Sequence, residues 1–331
     1  MWSGKAKDVL VLENEKVQIN FRDSISAFDG VKKEELVDKG KTNCLTSVKL
    51  FELLNNYGFE THFISQINDT QILCEYVEIL PVEVVCRNIS AGSFCRRYGY
   101  EEGLVFDQPL VEFFVKDDAH HDPLITQAVA VQMKLISKMD AILMEAITRA
   151  VNEILVKVFG LISLQLVDFK LEFGRSKSGQ LLLADEISLD TMRLWEKKTG
   201  EKKDKDRYRQ DLGDVIVHYK NILDRLSNIK KLPDYNPIST ARVIIKLKKS
   251  VLDPAGEVTF RSLSRKGYQN IDNVRLGKSA EIIFNAVPTS TIQLELEAIS
   301  EKILSNPLIE DFEFKIQHHP EKSVEQQSLE E

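Results

Sequence analysis

Residues 166–195 read LVDFKLEFGRSKSGQLLLADEISLDTMRLW, and their pattern predicts a β-hairpin. Apolar residues occupy alternate positions in the first half: Val167, Phe169, Leu171 and Phe173. The positions between them are charged: Asp168, Lys170 and Glu172. Alternate side chains of a strand leave on opposite faces, so one face is apolar and the other is charged. A turn at 174–179 and a leucine run at 181–183 complete the hairpin.

The charged face of this hairpin is a candidate binding site. The second strand ends in Asp185-Glu186, which would return Asp185 beside Glu172. Carboxylates grouped around one lysine repel each other unless a cation lies among them, and Mg²⁺ usually takes one or two carboxylates together with phosphate oxygens. The alternative is a solvated face with a surface salt bridge. The pair Asp190 and Arg193, which follows, favours a site.

The composition is that of a soluble globular protein with one large or two moderate domains. The 331 residues are 43% hydrophobic and 29% charged, with a net charge of −7. This acidic balance argues against general nucleic-acid binding, although it is compatible with a local basic pocket for phosphate. The charged start and the short apolar runs predict neither a signal peptide nor a membrane span. Four cysteines without CxxC spacing predict reduced thiols and a cytoplasmic location.

Two loops contain groups suited to phosphate. In Ser3-Gly4-Lys5-Ala6-Lys7 a glycine would let the backbone approach a phosphate while the lysines neutralise it. A charged surface turn is the alternative. Arg87 lies at the end of a valine-rich strand predicted at 78–88, and Ser93 follows in a loop of small residues. A guanidinium fork and a hydroxyl can hold a phosphate together.

The pattern divides the chain into a front domain, a linker, a small rear domain and a tail. The front domain covers 1–229, with predicted helices at 42–56, 126–159 and 204–228. Prolines and polar flanks mark 230–240 as a linker. Residues 241–317 have the order β-α-β-β-α-β of a ferredoxin-like unit, and its strands are predicted at 242–247, 271–276, 280–285 and 312–316. Residues 318–331 are polar and acidic and predict a disordered tail.

Eight segments of the front domain, in order, resemble the SAICAR synthetase (phosphoribosylaminoimidazole-succinocarboxamide synthase) family. They are GKAKDV at 4–9, FRDSISAFDG at 21–30, KGKTNCLTS at 39–47, EVVCRNISAGSFCRRYG at 83–99, KDDAHHDP at 116–123, VDFKLEFG at 167–174, ADEISLDTMRLW at 184–195 and DKDRYRQDLG at 204–213. The resemblance implies a two-lobe α+β domain, similar to ATP-grasp and kinase-like architectures, with ATP between the lobes. It also implies a carbon–nitrogen ligase of de novo purine biosynthesis, which uses ATP to join carboxyaminoimidazole ribonucleotide (CAIR) to L-aspartate.

The same resemblance implies a role for each candidate residue. The ATP-binding residues would be Gly4, Lys5, Lys7, Lys170, Glu172 and Asp185. Of these, Glu172 and Asp185 would hold Mg²⁺, while Lys170 and Lys7 would be catalytic. The residues that bind the imidazole nucleotide would be Arg87, Ser93, Asp168, Asp190 and Arg193. Asp29 and Lys116 would lie near the substrates without a specific role.

The chain departs from the family pattern at two positions near the expected site. Leu189 stands where proline is common, and Glu196 stands where aspartate is common. Neither change removes a charged group, so we expect an effect on geometry and not on the chemistry.

The rear domain resembles a different family, the PurS-type small subunit of formylglycinamidine ribonucleotide synthase. The segments that carry this resemblance are VIIKLKKSVLDPAGE at 243–257, NIDNVRLGKSAEI at 270–282 and EKILSNPLIEDFEF at 301–314. It implies a non-catalytic, self-associating domain whose partners are the large synthase and glutaminase subunits. The expected protein is therefore a fusion enzyme that forms a homo-oligomer. The alternative is a nucleotide-binding scaffold of a purine-synthesis complex without turnover.

Overall fold

The computed structural model describes residues 2–4, 6–27, 31–233, 238–285 and 289–319. The chain divides into two compact units, Met1–Tyr235 and Asn236–Glu331. The finer limits predicted above, with a linker at 230–240, stay predictions. Lys5, Asp29 and most of the predicted tail lie outside the described residues.

The first unit begins with a small antiparallel sheet and its covering helix. The elements of this part are β1 (Trp2–Ser3), β2 (Lys7–Val11), β3 (Lys16–Phe21), β4 (Ser24–Ala27), β5 (Lys32–Glu35), α1 (Lys39–Asn56), β6 (Phe63–Asn68) and β7 (Gln71–Glu75). The sheet has the order β1-β2-β3-β7-β6, while β4 and β5 form a separate hairpin. Helix α1 packs on the sheet through fully buried side chains such as Leu50, Phe51 and Leu54.

The second part of this unit is built on a larger sheet. Its elements are β8 (Glu78–Ile89), α2 (Ser93–Tyr98), β9 (Val105–Val115), β10 (Leu124–Ile125), α3 (Gln127–Gln132), α4 (Lys138–Leu161), β11 (Leu164–Arg175), β12 (Leu181–Ala184), β13 (Met192–Glu196), α5 (Asp206–Arg209) and α6 (Val215–Ser227). The sheet has the order β10-β9-β8-β11-β12, and β13 also pairs with β11. Helix α4 packs against β8, β9 and β11. None of the helices in the described ranges is long and apolar enough to cross a bilayer.

The predicted hairpin is confirmed, and its charged face is not a solvated surface. Strands β11 and β12 pair antiparallel with Glu172 opposite Ala184. The apolar positions are buried as the alternation requires, with Phe169 and Phe173 at 1% and 0% exposure. Asp168 and Glu172, on the other face, are also buried, at 3% and 6% exposure. Buried charges require partners, so this face is a candidate site.

Two predicted helices are each interrupted. The helix expected at 126–159 is divided into α3 and α4, because Ser137 caps α4 in a reciprocal pair of hydrogen bonds with Asp140. The helix expected at 204–228 is divided into α5 and α6. Between them Asp211, Gly213 and Asp214 all have positive φ angles, of 56°, 70° and 54°, which a continuing right-handed helix does not allow.

The second unit is a three-stranded antiparallel sheet with helices between its strands. Its elements are β14 (Ile238–Leu247), α7 (Pro254–Arg265), β15 (Gly277–Asn285), α8 (Thr289–Ile299), a π-helical turn at Ser300–Leu304 and β16 (Glu310–His319). The order β15-β14-β16 places the first strand in the centre, as in a ferredoxin-like unit. Its core includes Val243, Ile245 and Phe314.

The strand predicted at 271–276 is wrong, since these residues have no regular structure. The Arg275 guanidinium instead donates to the carbonyl oxygens of Leu247, Lys248 and Val251 at 2.9–3.1 Å. The Leu276 N–H donates to the Asp253 carboxylate at 2.8 Å. Side-chain contacts therefore hold the segment to the end of β14, to the connection after it and to Asp253, which precedes α7. The α+β class of the chain is confirmed.

Candidate active site

A cavity of about 920 Å³ lies over the charged face of β11. Predicted site residues that line it are the five nucleotide-binding candidates Arg87, Ser93, Asp168, Asp190 and Arg193, together with the catalytic candidate Lys170. Ligand pockets commonly have volumes of roughly 300–1,000 Å³, so this space can hold a nucleotide-sized molecule. The structure brings these six residues together around one cavity, while their roles stay predictions.

Asp168 is the centre of the first charged cluster. The register of β11 places it opposite Arg87 on β8 and opposite Arg193 on β13. Its Oδ2 atom accepts hydrogen bonds from Nη1 of Arg87 at 2.6 Å and from Nη1 of Arg193 at 2.8 Å. Arg193 also donates through Nε to Asp206 at 2.8 Å. Burial opposes the charge on Arg193, but Asp168 and Asp206 outweigh it and raise the pKa of the guanidinium.

The loop before α2 completes this cluster. The Arg87 Nη2 atom donates to the Ser93 hydroxyl at 3.1 Å. Gly92 precedes Ser93 with φ 56° and ψ −123°, a conformation suited to glycine. A Cβ atom at Gly92 would also collide with the guanidinium of Arg193. The loop thus needs glycine both for its backbone and for the space that Arg193 occupies.

Asp190 belongs to a buried ion pair beside the same cavity. The Lys39 ammonium lies 2.5 Å from Asp190 Oδ2, and the Tyr219 hydroxyl donates to Oδ1 at 3.0 Å. Burial raises the pKa of Asp190, but Lys39 and Lys205 outweigh burial and lower it overall. Asp190 is therefore ionised, with Lys39 as its main partner. Sequence reasoning missed Lys39, although it begins the quoted segment KGKTNCLTS.

Lys170 and Glu172 form the second charged cluster. The Lys170 ammonium lies 2.8 Å from Glu83 and 2.9 Å from Glu172, and Lys116 pairs with the other oxygen of Glu172. Burial opposes the charge on Lys170, but Glu172, Glu83 and Asp185 raise its pKa well above the usual value. Burial likewise disfavours ionised Glu172, yet Lys170 and Lys116 lower its pKa overall. Lys116 is thus a direct partner of a predicted metal ligand.

Lys7, on the small sheet, and Asp185, which directly follows β12, extend this cluster. The Lys7 ammonium lies 2.5 Å from Asp185 and 2.8 Å from Glu186. Gly4 lies in the predicted turn, which closes through its N–H to the Lys7 carbonyl at 2.8 Å. Asp185 has a positive φ of 63°. The buried His62 holds it through a 3.1 Å contact between Nε2 and the Asp185 carbonyl oxygen, so Nε2 carries the proton.

The second cluster fits a divalent cation in chemical terms. It holds the carboxylates of Glu83, Glu172, Asp185 and Glu186 and the ammonium groups of Lys7, Lys116 and Lys170, an excess of one acid among these groups. Burial, Glu172 and Glu186 together raise the pKa of Asp185 although Lys7 opposes them. In the described residues there is no group of three or more ligating side chains able to hold a metal by itself. Two carboxylates completed by phosphate oxygens suit Mg²⁺.

The two departures from the family pattern lie in different surroundings. Leu189 is fully buried, and its carbonyl accepts from Tyr219 at 3.2 Å, next to Asp190. Glu196 pairs with Arg225 at 3.0 Å, and neither Glu196 nor Arg225 lines the cavity over β11. Only Leu189 is therefore placed where it can influence the site.

Comparison with known proteins gives the chain its relatives. The profile of the family described as SAICAR synthetase matches residues 1–226, and that described as PurS, phosphoribosylformylglycinamidine (FGAM) synthase, matches 240–318. A phosphoribosylaminoimidazole-succinocarboxamide synthase of Methanocaldococcus jannaschii is 45% identical over 226 residues, which are 68% of this chain and 93% of the relative. The Persephonella marina synthase is 47% identical over 227 residues, 68% of this chain and 95% of its own.

Solved structures agree with the curated relatives. A synthase of the same name from Ehrlichia chaffeensis has a TM-score of 0.67 and 36% identity, covering 70% of this chain and 99% of its own. A SAICAR synthetase in complex with ADP has a TM-score of 0.66 and 39% identity, covering 71% and 99%. The matched profile and these relatives define an enzyme of the ligase class. The chain belongs to the SAICAR synthetase family and carries a PurS domain at its C-terminal end.

Proposed function

We propose that the first unit ligates CAIR and L-aspartate with ATP to give SAICAR, ADP and phosphate. The observation that carries this proposal is the placement of two charged clusters on one strand. Strand β11 holds Asp168 between two guanidinium groups and, on the same face, Lys170 and Glu172 among lysines and carboxylates. An anionic nucleotide and the phosphates of ATP can therefore meet along β11. The names of the curated relatives and the ADP bound to one solved relative support this reading.

The reaction requires activation of a carboxylate, which is a poor electrophile. Transfer of the γ-phosphoryl group to an oxygen of the CAIR carboxylate breaks the bond to ADP. The aspartate nitrogen then attacks the carboxyl carbon, phosphate leaves with that oxygen, and the nitrogen gives up a proton. Cationic groups placed at the transferring phosphoryl group stabilise its developing charge. Holding three substrates side by side along β11 contributes by orientation.

Each cluster has a separate task in this proposal. Lys7 and Lys170 contact the ATP phosphates, with Lys170 next to the reacting carboxylate, and the Gly4-Lys5 turn approaches the phosphates. Glu172 and Asp185 would hold Mg²⁺, which supplies positive charge at the phosphate oxygens when bound. The nucleotide is bound by Arg87, Ser93, Asp168, Asp190 and Arg193.

Two substitutions test these roles. We expect Lys170→Ala and Asp185→Asn to abolish ADP release that depends on both CAIR and aspartate, because each removes a charge from the phosphate cluster. Lys177→Ala and Asp69→Asn are matched controls, since both residues are exposed and ion-paired away from the cavity. Circular dichroism checks the fold of every variant. Near wild-type turnover in either site variant would refute the assignment.

Substrate omission separates the proposal from its rivals. Another ligase or kinase with a different acceptor would turn over equally well without aspartate. A scaffold without turnover would bind ATP but release no ADP. We expect release only when both substrates are present, and we expect EDTA to stop it and added Mg²⁺ to restore it. Activity that is unaffected by EDTA would remove the metal role of Glu172 and Asp185.

We further propose that residues 241–317 are an adaptor that self-associates and binds the large FGAM synthase subunit, whose complex includes the glutaminase. The match of 240–318 to the PurS family supports this role. The intact chain would then be a cytoplasmic homo-oligomer. Analytical ultracentrifugation of the full chain and co-purification with the large subunit test the two parts. A monomeric chain that does not retain the subunit would leave no reason for the adaptor role.

A further inference from the structure

Glu112 contacts the guanidinium groups of two arginines that line the cavity, Arg87 and Arg97. It is on β9, beside β8, and 11% of its side chain is exposed. Its Oε2 atom accepts from Nε of Arg87 at 2.6 Å, and its Oε1 atom accepts from Nη2 of Arg97 at 2.5 Å. Both carboxylate oxygens are therefore engaged by arginine.

The three contacts of Arg87 fix the orientation of its guanidinium. An arginine has five N–H donors in a planar fork. Glu112 takes Nε, Asp168 takes one proton of Nη1, and Ser93 takes one proton of Nη2. Both Arg87 and Ser93 line the cavity. The guanidinium of Arg87 is therefore fixed at the cavity wall, and an arginine held in this way suits the oxygens of a phosphate.

Arg97 lines the same cavity as Arg87, and its side chain is also held in place. Its Cζ atom lies 5.2 Å from the ring centroid of Phe114 and 5.3 Å from that of Tyr98. Its side chain is 26% exposed, and the residue lines the cavity. The ring faces and Glu112 together restrict a long side chain that would otherwise be mobile in solvent. Arg97 is thus a preorganised cation and not a free surface charge.

A carboxylate beside an anion site repels the ligand, so its presence needs a physical reason. The reason is that Glu112 accepts from Arg87 through one carboxylate oxygen and from Arg97 through the other, and so holds both arginines in place. The cluster of Lys170 and Glu172, where phosphoryl transfer is proposed, contains lysines and no arginine among the ion pairs described for it. The part of the cavity that Arg87 and Arg97 line, called here the arginine end, is therefore suited to a phosphate that is bound and not transferred.

We propose that Arg97 binds the phosphate monoester of the imidazole nucleotide together with Arg87, and that Glu112 is the positioning residue for both. This inference rests on the proposed ligase function, because that function supplies a nucleotide substrate. It assigns Arg97 to substrate binding, and it gives Glu112 a role through the two arginines, without contact with the substrate.

Steady-state kinetics on the full chain test the proposal. Arg97→Ala should raise KM for the nucleotide by about 10- to 100-fold, the range expected for one charge-assisted hydrogen bond, with KM for ATP and aspartate within about twofold of wild type. Arg97→Lys should restore part of the loss, since a point charge replaces the fork. Glu112→Gln should raise the same KM by about tenfold, because the neutral amide can retain only one of the two arginines.

Glu145→Gln is the matched control. Glu145 also accepts from an arginine, Arg149 at 2.8 Å, but neither residue lines the cavity. Glu145→Gln should leave KM for the nucleotide, ATP and aspartate unchanged. Its melting temperature should lie within a few degrees of that of Glu112→Gln. A rise in KM for ATP would assign the arginine end to the ATP phosphates and overturn the proposal. Unchanged KM values, or an equal rise for every substrate, would also overturn it. If the wild-type chain releases no ADP, the ligase function itself has failed.

Discussion

Gly92→Ala is the most direct test of the geometry around Arg193. Gly92 has φ 56° and ψ −123°, so a side chain there is strained. A residue other than glycine with positive φ costs about 1–2 kcal/mol. In addition, the new Cβ atom would lie 2.7 Å from Cζ and 3.1 Å from Nη1 of Arg193. Either the loop or the guanidinium must move.

Movement of Arg193 weakens the pair that it forms with Asp168 at 2.8 Å and with Asp206 at 2.8 Å. A hydrogen bond to a charged group contributes roughly 1.5–3 kcal/mol, which corresponds to about 10- to 100-fold in an equilibrium constant. We therefore expect Gly92→Ala to raise KM for the nucleotide by at least about tenfold. It should also lower the free energy of unfolding by about 1–3 kcal/mol.

Gly99→Ala separates the two effects. Gly99 ends α2 with φ 70°, so alanine there has a similar backbone cost, but nothing lies within 4 Å of its added Cβ. This control should lose stability and keep the wild-type KM. The assay is ADP release at varied nucleotide concentration, with urea unfolding for stability. Equal nucleotide KM values in Gly92→Ala and Gly99→Ala would refute the argument that Arg193 is displaced.

Two further substitutions test the packing of the first unit. In Gly40→Ala the Cβ atom would lie 2.6 Å from the Phe21 carbonyl oxygen, so the free energy of unfolding in urea should fall by about 1–3 kcal/mol. In Gly160→Ala the Cβ atom would meet open space, so the free energy of unfolding should rise by roughly 0.5–1 kcal/mol. Equal effects of the two substitutions would contradict the close approach at Gly40. Burial lowers the pKa of His62 to about 4 from its ordinary 6.5, so below pH 6.5 only the unfolded chain takes up the proton and stability falls until about pH 4. His62→Gln should remove this part of the pH dependence and exposed His120→Gln should not; the same slope in all three proteins would contradict the prediction.

The sequence predicts the hairpin and most of the site because the alternation of β11 serves two purposes. Its apolar positions must face α4, which leaves Asp168, Lys170 and Glu172 on the other face. A one-residue slip would exchange the two faces. Local pattern alone therefore fixes which charged side chains lie together on this strand.

Partners supplied by distant parts of the chain are a different matter. Glu83 and Glu112 lie inside largely apolar strands, and their contacts depend on how β8 pairs with β11 and β9. Lys39 begins a helix that packs on another sheet. No local period records these pairings, because each depends on register between strands or on packing between helix and sheet. The resemblance of a segment to a family could indicate that such residues belong to the site, but it does not show which side chains they contact.

The rear unit shows the limit of alternation as a signal. Residues 271–276 have a suitable pattern, yet Arg275 donates to carbonyl oxygens at the last residue of β14 and in the connection after it, and Asp253 accepts from the Leu276 N–H. These side-chain contacts satisfy groups that a sheet ladder would otherwise use. The pattern states that a strand is possible, and competing hydrogen bonds decide that it does not form.

The position of β11 explains why one strand can serve two charged clusters. It is the only described strand that pairs with three others, β8, β12 and β13, because β13 occupies its first half and β12 its second. Strand β11 changes its partner from β13 to β12 after Phe169, the last residue paired with β13. Asp168 therefore lies opposite Arg193, and Glu172 lies opposite Ala184, next to Asp185. Lys170 lies between these two pairings. A binding end and a phosphate end are therefore separated by the architecture of the sheet, and the residue placed between them is the one to which catalysis is assigned.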